Sequence, residues 1–231
     1  MVAEYFRLKK GIPRSTLAMK YLRGSGIEIG ALHNPVFIGP FAKAKYVDRM
    51  STADLMKEYP ELSNLKLVEP NIIDNAEVLS KVPADSLDFI IANHFIEHCE
   101  DPIQTLKNFS GKLRNKGIIY LAVPDKHLTF DKHRSSTSFE HLVQDHTQGV
   151  LTSREKHYEE WVQYFGPKEI NLEDQATFLQ QNRYSIHFHV WSKNEFLDFL
   201  EKFILAYKMP LKVVTCVAIA DEAVFILQKS S

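Results

Sequence analysis

His94, Glu97 and His98 stand in the spacing H-x-x-E-H within "ANHFIEHCEDP", residues 92 to 102. In a helix, this spacing places both histidines on one face, where they can bind zinc. Here the apolar run "LDFIIA" precedes the segment and predicts a buried strand, while Asp101 and Pro102 predict the start of a new helix. The segment therefore predicts a corner between a strand and a helix, and a zinc-binding helix is not expected.

Other histidines are spaced for acid–base chemistry. His187 and His189 alternate in "YSIHFHVW", so both point to one face if that segment is extended. His141 and Asp145, with the neighbouring His146, form a second group in "FEHLVQDH". An imidazole has an ordinary pKa of about 6.5, which suits a general base near neutral pH. The alternative interpretation for each of these side chains is a structural one, in which it only makes hydrogen bonds within the fold.

The composition is that of an ordinary globular protein. The 231 residues are 45% hydrophobic and 25% charged with a net charge of −1, which predicts one domain over residues 1–231 and no nucleic-acid surface. Two cysteines without C-x-x-C spacing predict a reducing compartment. The sequence has no apolar run typical of a signal peptide or membrane span, so we expect a cytoplasmic protein that acts on a small molecule and does not bind a membrane.

Strand and helix patterns alternate through most of the chain. Residues 1–25 predict a helical segment. Helices are also predicted for "ADLMKEY", with Thr52 as its cap, and for residues 75–82. Two further helices are predicted at the apolar stripe 103–113, ended by Gly117, and after the Ser192–Glu195 capping box. Strands are predicted at "GIEIG" (26–30), "AKYVD" (44–48), "LKLVE" (65–69), "LDFIIAN" (87–93), "IIYLAV" (118–123), "LKVVTCVAI" and "EAVFILQ".

Residues 125–190 interrupt this alternation. They are polar and rich in histidine, and they follow the fifth predicted strand, so we interpret them as an insertion or lid, here called the insertion. Alternating strands and helices predict an α/β fold with a doubly wound, mostly parallel sheet. Ligands of such sheets bind at the carboxyl ends of the strands, near the topological switch point.

Polar residues and glycine follow the ends of successive predicted strands. Asp48 ends the second strand, and a carboxylate at that position can accept hydrogen bonds from both hydroxyls of a ribose. Gly30 ends the first strand, where a missing side chain lets the backbone approach a ligand closely. With Glu28 to His33, Asn71 and Asn93, these residues predict one ligand crevice.

Four segments resemble the class I S-adenosylmethionine-dependent methyltransferases, in particular a type 11-like bacterial subgroup. They are "IEIGALHNP", "KYVDRM", "SLDFIIANHFIEHCEDP" and "KLRNKGIIYLAVPD", in the family's order within residues 26–124. The resemblance implies a Rossmann-like fold with a seven-stranded, mostly parallel sheet, helices on both faces, and an insertion after strand 5. It also implies S-adenosyl-L-methionine as cofactor and methyl transfer as the reaction.

Position by position, the resemblance implies a set of cofactor-binding residues. Glu28, Gly30 and Ala31 would line the methionine end, and Asn93 with His94 would close it. Asp48 would bind the ribose, and Asn71 with Ile72 would face the adenine. Leu32 and Asn34 depart from the family pattern, because the second and third glycines of its first motif usually stand there.

Methyl transfer to a hydroxyl needs an aligned acceptor and a base. The candidate catalytic residues are His98, His187, His189 and His141, and the expected acceptor is a sugar or another small polar metabolite. Some methyltransferases use a corner like Glu97–His98 to hold a divalent ion. The favoured interpretation here is that Glu97 caps the next helix or pairs with a lid residue, while His98 packs under the insertion. No metal ligand is therefore assigned. One alternative is a non-catalytic module that binds the cofactor or a protein. A nicotinamide-dependent oxidoreductase is disfavoured because G-x-G-x-x-G is absent.

Overall fold

The protein folds around one seven-stranded sheet. The structure, a computed structural model, describes residues 13–60, 64–167 and 169–231, so residues 1–12 of the predicted N-terminal helical segment lie outside it. The strands are β1 (Gly24–Ile29), β2 (Ala42–Asp48), β3 (Ile72–Ile73), β4 (Leu87–Asn93), β5 (Leu113–Pro124), β6 (Leu211–Ile219) and β7 (Glu222–Lys229). Their order is β3-β2-β1-β4-β5-β7-β6.

The sheet is parallel except for one strand. β1 lies between β2 and β4 and pairs in parallel with both, and β4 pairs in parallel with β5. β7 runs antiparallel between β5 and β6. The chain order therefore reverses next to β1, which makes the carboxyl ends of β1 and β4 the topological switch point. The predicted fold class is confirmed.

Seven helices accompany the described strands, and none of the helices in this part of the chain is both long and apolar enough to cross a membrane. Asp101 caps the third helix by accepting from Gln104 N at 2.8 Å, and Ser192 with Glu195 forms the predicted capping box of the seventh. The helices are α1 (Arg14–Tyr21), α2 (Thr52–Glu58), α3 (Pro102–Lys112), α4 (Phe139–Gln148), α5 (Leu151–Phe165), α6 (Leu172–Gln181) and α7 (Lys193–Ala206).

Side chains of β4 alternate between two hydrophobic cores. Phe89 and Ile91 pack in the core that contains Leu17 of α1, whereas Ile90 packs in the core that contains Phe109 of α3 and residues of α7. Both faces of the central strand are therefore buried, which explains why its sequence is a continuous apolar run.

The predicted third strand and the helix after it are wrong. Residues 65–69 form no strand, and the peptide N–H of Val68 donates to Leu32 O at 2.7 Å, which ties this segment to the loop after β1. Residues 75–82 form turns in place of the predicted helix. The Asp74 carboxylate accepts from Lys81 N at 2.7 Å and from Ser80 Oγ at 2.8 Å, and such side-chain bonds compete with helical hydrogen bonding.

Two predicted boundaries also move. The α3 helix ends at Lys112 rather than at Gly117, because Leu113 already pairs with Leu87 of β4. Gly117 serves a close approach within β5, since a Cβ there would lie 2.9 Å from Arg114 O. The cap of α2 is Ser51, whose hydroxyl accepts from Asp54 N, rather than the predicted Thr52.

The insertion contains α4, α5 and α6 and has a small core of its own. Tyr158, Val162, Ala176, Ile186 and Phe188 pack together there. Its two ends meet at the sheet, where the N–H of Lys126 donates to Trp191 O at 2.9 Å. The two ends of the insertion therefore meet next to the carboxyl end of β5, and the chain continues from there into α7.

Candidate active site

A cavity of about 960 Å³ opens between the carboxyl edge of the sheet and the insertion. Residues after β1, β2, β3 and β4 form one wall, and residues of α5, α6 and the segment after α6 form the other. The sheet side includes Ile29, Gly30, Leu32, Asp48, Arg49, Asn75, Ala76, Glu77, His94 and His98, and the insertion side includes Arg154, Tyr158, Gln180, Arg183, Tyr184 and Phe188.

Gly30 provides a place where a ligand can approach the backbone. Its φ is +61°, and a Cβ built there would meet nothing within 4 Å. Leu32 also lines the cavity and has φ +47°, the left-handed region that favours glycine. The backbone therefore keeps a glycine-like conformation at the position where the family pattern has glycine, at a cost of about 1–2 kcal/mol for the leucine.

Asp48 lies at the end of β2 and lines the cavity, as the sequence predicts. Its Oδ1 accepts from the N–H of Arg49 at 2.7 Å. Burial raises the pKa of the Asp48 carboxyl, and the hydrogen bond from Arg49 opposes this shift in part. A carboxylate in this place can accept the hydroxyl hydrogens of a ribose.

Glu28 and Ala31 lie outside the described lining of the cavity. The Glu28 side chain is buried and accepts from the N–H of Val36 at 2.9 Å, so it braces the loop after β1. Burial raises the pKa of the Glu28 carboxyl to about 7. The sequence predicts these residues at the methionine end of the cofactor, and among the described residues it is Gly30, between them, that lines the cavity.

The two residues predicted to face the adenine, Asn71 and Ile72, lie elsewhere. Asn71 is exposed, and its Oδ1 accepts from Tyr46 N at 2.8 Å, while Ile72 packs against the main core. Neither residue lines the cavity in the described structure; Asn75, Ala76 and Glu77 do. The reason is the true position of β3, whose carboxyl end lies four residues beyond the predicted strand. The pair "II" before Asp74 was the only sequence signal for it.

His94 follows β4 and belongs to a charged network. Its Nε2 lies 2.7 Å from Glu222 Oε2, and Arg14 Nε donates to Glu222 Oε1 at 2.5 Å. Burial lowers the pKa of His94, but the hydrogen bond to Glu222 and the charge of Glu97 outweigh it, so the net pKa is raised. Burial likewise raises the pKa of Glu222, yet the bonds from Arg14 and His94 lower it overall.

Glu222 and Arg14 were not predicted from the sequence, since nothing local marks them as partners of His94. Asn93, the other residue predicted to close the methionine end, has its Oδ1 buried without a hydrogen-bond partner among the described residues. This amide oxygen sits at the end of β4, directly before His94.

His98 lines the cavity from the corner between β4 and α3. Its Nδ1 lies 2.8 Å from Ile186 O. Because a carbonyl oxygen only accepts hydrogen bonds, Nδ1 carries the proton and Nε2 keeps a lone pair. Burial, followed by the nearby His187, lowers the pKa of His98 to about 3, so the ring is neutral near neutral pH.

The other three predicted bases do not line the cavity in the described structure. His187 is buried, with Nδ1 2.6 Å from Asp131 Oδ2. His189 is fully buried, and its Nε2 lies 3.3 Å from Glu100 O. His141 lies on α4 beside Asp145. Of the four predicted catalytic histidines, all within the described residues, His98 alone reaches the cavity.

Glu97 is buried beside this corner. Its side chain is 1% exposed, and neither oxygen has a hydrogen-bond partner among the described residues. Burial raises the pKa of this carboxyl. The predicted capping role is wrong, because Asp101 caps α3, and the alternative pairing with the lid is not formed as a hydrogen bond. His98, in contrast, packs under the insertion as predicted.

A family profile described as a methyltransferase domain matches residues 9–201 of the chain. The chain belongs to this methyltransferase family. Together with the sheet order and the cavity, the match makes the protein a class I S-adenosylmethionine-dependent methyltransferase, whose cofactor is S-adenosyl-L-methionine. No curated protein matches the sequence of this methyltransferase.

Solved structures share the fold of this methyltransferase at low sequence identity. A proposed zinc-dependent alcohol dehydrogenase from Rhodobacter sphaeroides has a TM-score of 0.53 and 12% identity, with 99% of this chain and 94% of that chain covered. The CurJ carbon methyltransferase has a TM-score of 0.50 and 14% identity, and this chain, which is covered completely, spans 59% of that chain. A protein described as a methyltransferase from Bacillus halodurans has a TM-score of 0.50 and 11% identity, with 96% and 100% covered. Identities this low show the fold alone.

Proposed function

We propose that the enzyme transfers a methyl group from S-adenosylmethionine to a hydroxyl oxygen of a small polar acceptor, such as a sugar, with His98 as the base. The observation that supports this most directly is the position of His98 on the wall of the cavity, with Nδ1 bound to Ile186 O and a lone pair left on Nε2. In this proposal the sheet side of the cavity binds the cofactor and the insertion side binds the acceptor.

The sheet side suits the cofactor. Gly30 offers open space beside the backbone for the methionine end, and Asp48 offers acceptors for the ribose hydroxyls. His94, which Glu222 holds and whose pKa is raised, suits the methionine carboxylate. Asn75 and the residues after it replace Asn71 and Ile72 as the proposed adenine contacts.

The insertion side suits an acceptor rich in hydroxyl groups. Its lining carries guanidinium, amide and phenol groups beside the ring of Phe188. The Tyr158 hydroxyl donates to Tyr184 O at 3.0 Å, and Arg154 Nη2 donates to Glu100 Oε2 at 2.8 Å. These bonds fix the wall before an acceptor arrives, which reduces the entropic cost of orienting it.

A weak base is adequate for this reaction. Bound S-adenosylmethionine would supply an activated methyl group: the acceptor oxygen would form the new C–O bond while the C–S bond breaks and its electron pair goes to sulfur. As that bond forms, the acceptor O–H becomes strongly acidic, so its proton can pass late in the transfer to an imidazole whose pKa is about 3. The proton then passes from Nε2 of His98 to solvent.

The direct experiment follows S-adenosylhomocysteine formation with a panel of free sugars and other small hydroxylated metabolites, and locates the methyl group in the product by NMR. With the acceptor in hand, His98→Asn is compared with His127→Asn, whose side chain is exposed and away from the cavity. We expect His98→Asn to lower kcat by roughly 100- to 10,000-fold, with unchanged S-adenosylhomocysteine binding. An unchanged kcat would remove His98 as the base, and a methyl group on nitrogen would overturn the O-directed assignment.

A further inference from the structure

We infer that His141, Asp145, His157 and His189 bind a zinc ion inside the insertion. His141 and Asp145 are four residues apart on α4, His157 lies on α5, and His189 lies on the extended segment before α7. None of the four lines the described cavity, so this site is distinct from the active site. The inference does not depend on the identity of the methyl acceptor.

The potential ligand atoms converge. His141 Nε2 lies 3.1 Å from His157 Nε2 and 3.1 Å from Asp145 Oδ2, and His157 Nε2 lies 3.8 Å from Asp145 Oδ2. One atom from each of the four side chains lies within 4.8 Å of all the others. Four ligands around zinc at tetrahedral angles are separated by about 3.4 Å, so these atoms already surround a common point.

Two of the four side chains are buried without the partners that such groups require. The Asp145 side chain is 1% exposed, and neither of its oxygens makes a well-aligned hydrogen bond to the described residues. His189 is fully buried, and its Nδ1 has no partner either. The nearest charged contact of Asp145 is His141 Nε2, 3.1 Å from Oδ2, and it is an ion pair only when the His141 ring is protonated. A buried carboxylate that is incompletely paired is costly. A bound cation would satisfy both groups at once.

A hydrogen bond between the rings does not account for the cluster. A single proton shared between His141 and His157 would explain their 3.1 Å separation. With that proton between the rings, Asp145 would keep only its contacts with the two histidines at 3.1 and 3.8 Å, neither a well-aligned hydrogen bond, and Nδ1 of His189 would have no partner among the described residues. A metal ion, in contrast, uses all four side chains.

The surroundings orient the ligands as expected for a metal site. The Nε2 of His189 lies 3.3 Å from Glu100 O, which places the ring proton on Nε2 and leaves the Nδ1 lone pair for a metal. Ser138 caps α4 by accepting from His141 N at 3.2 Å, so the helix that carries two ligands begins in a fixed place.

The ligand set favours zinc over the common alkaline-earth ions. Three imidazoles and one carboxylate match the nitrogen-rich, four-coordinate sites that zinc occupies, whereas Mg²⁺ and Ca²⁺ prefer oxygen ligands. Four protein ligands leave no open position, which is typical of a structural rather than a catalytic zinc. The ion would join α4 and α5 to the segment around Phe188. Tyr158, next to His157, would thereby be held at the cavity wall.

The test measures metal directly. The protein is expressed and purified without chelators, dialysed, and analysed for metals by atomic spectrometry, then stripped with a chelator and reloaded with zinc or cobalt. We expect about one zinc per chain, a lower Tm after stripping that zinc restores, and the intense visible bands of tetrahedral Co²⁺. Absence of both zinc retention and cobalt bands in the correctly folded protein would overturn the site.

Variants locate the ion. Asp145→Asn keeps the shape of the side chain but weakens it as a ligand, and His157→Gln removes one imidazole; both should lose most of the zinc. His133→Gln, an exposed histidine of the same insertion, should keep it. Zinc that persists in both ligand variants, or that is lost in Glu97→Gln instead, would contradict this assignment. If the ligand variants do not fold, the wild-type cobalt spectrum and the NMR signals of the histidine rings with and without zinc decide the question.

Discussion

The imidazole of His94 is hydrogen bonded to the carboxylate of Glu222, with 2.7 Å between Nε2 and Oε2, although the two residues are 128 positions apart in the sequence. The bond joins the carboxyl end of β4 to the first residue of β7, and Arg14 adds a contact from α1. The backbone of His94 has φ +47°, a conformation that is costly outside glycine. Charged side chains from two elements distant in the sequence, β7 and α1, therefore hold this corner of the cavity in place.

Replacing Glu222 by glutamine should lower stability in a pH-dependent way. The raised pKa of His94 adds stability that is fully present below its ordinary value of 6.5 and lost as pH rises through its folded value. The lowered pKa of Glu222 adds stability that is present above 4.5 and lost as pH falls through its folded value. Urea denaturation should therefore show the largest loss between pH 4.5 and 6.5. The loss should be smaller at about pH 9. Glu58→Gln, whose partner is Arg49, should lack the decrease on the alkaline side.

Asp48→Asn should weaken cofactor binding. A hydrogen bond to a charged group contributes about 1.5–3 kcal/mol, so we expect S-adenosylhomocysteine to bind about ten- to a hundredfold more weakly by calorimetry. Asp54→Asn removes a charge from the exposed first turn of α2 and serves as the control, because Asp54 itself does not line the described cavity. Equal Kd values for Asp48→Asn and the wild type would refute the ribose assignment.

Gly30→Ala tests the space beside β1. Its φ of +61° predicts a loss of about 1–2 kcal/mol in unfolding free energy. The added methyl would also project into the open cavity, so cofactor binding should weaken further. Gly111→Ala, near the end of α3, places a methyl in open space without a positive φ, and should keep wild-type affinity and raise stability by up to about 1 kcal/mol. Similar affinities in the two variants would argue against a cofactor at Gly30.

The pH profile of methyl transfer should lack an acidic limb near pH 6.5. His98 has a pKa of about 3, so its neutral, proton-accepting form is present throughout the neutral range. The measurement is kcat between about pH 5 and 8 under saturating substrates, with histidine titration by NMR as an independent readout. A decline centred near 6.5 that disappears in His98→Asn would show that the base titrates normally.

The sequence predicted elements whose signal is local and repeated. The apolar run of β4, the Asp101 cap and the Ser192–Glu195 box each depend on neighbouring residues, and all three are present. The two-residue β3 was missed because so short an edge strand has no periodicity. Missing it placed the predicted adenine contact at Asn71, which does not line the described cavity, whereas Asn75 does.

Contacts between residues far apart in the sequence could not be predicted from local sequence patterns. His141 and Asp145 were recognisable as a group because they are four residues apart on one helix. His157 and His189 join them only through tertiary packing, and no spacing in the sequence indicates it. Glu222 meets His94 only because β7 inserts antiparallel beside β5.

The two ends of the insertion lie next to each other, so the insertion can be replaced as a unit. Lys126 N donates to Trp191 O at 2.9 Å, so the insertion begins and ends at a single point. Asp125 N donates to Asp221 O at 2.9 Å, which ties the start of the insertion to the turn between β6 and β7. A different insertion joined to the same two ends would leave the strands that position Gly30 and Asp48 unchanged. Exchange of the insertion should therefore change only the wall of the cavity that the insertion forms, and leave the opposite wall, formed by the sheet, in place.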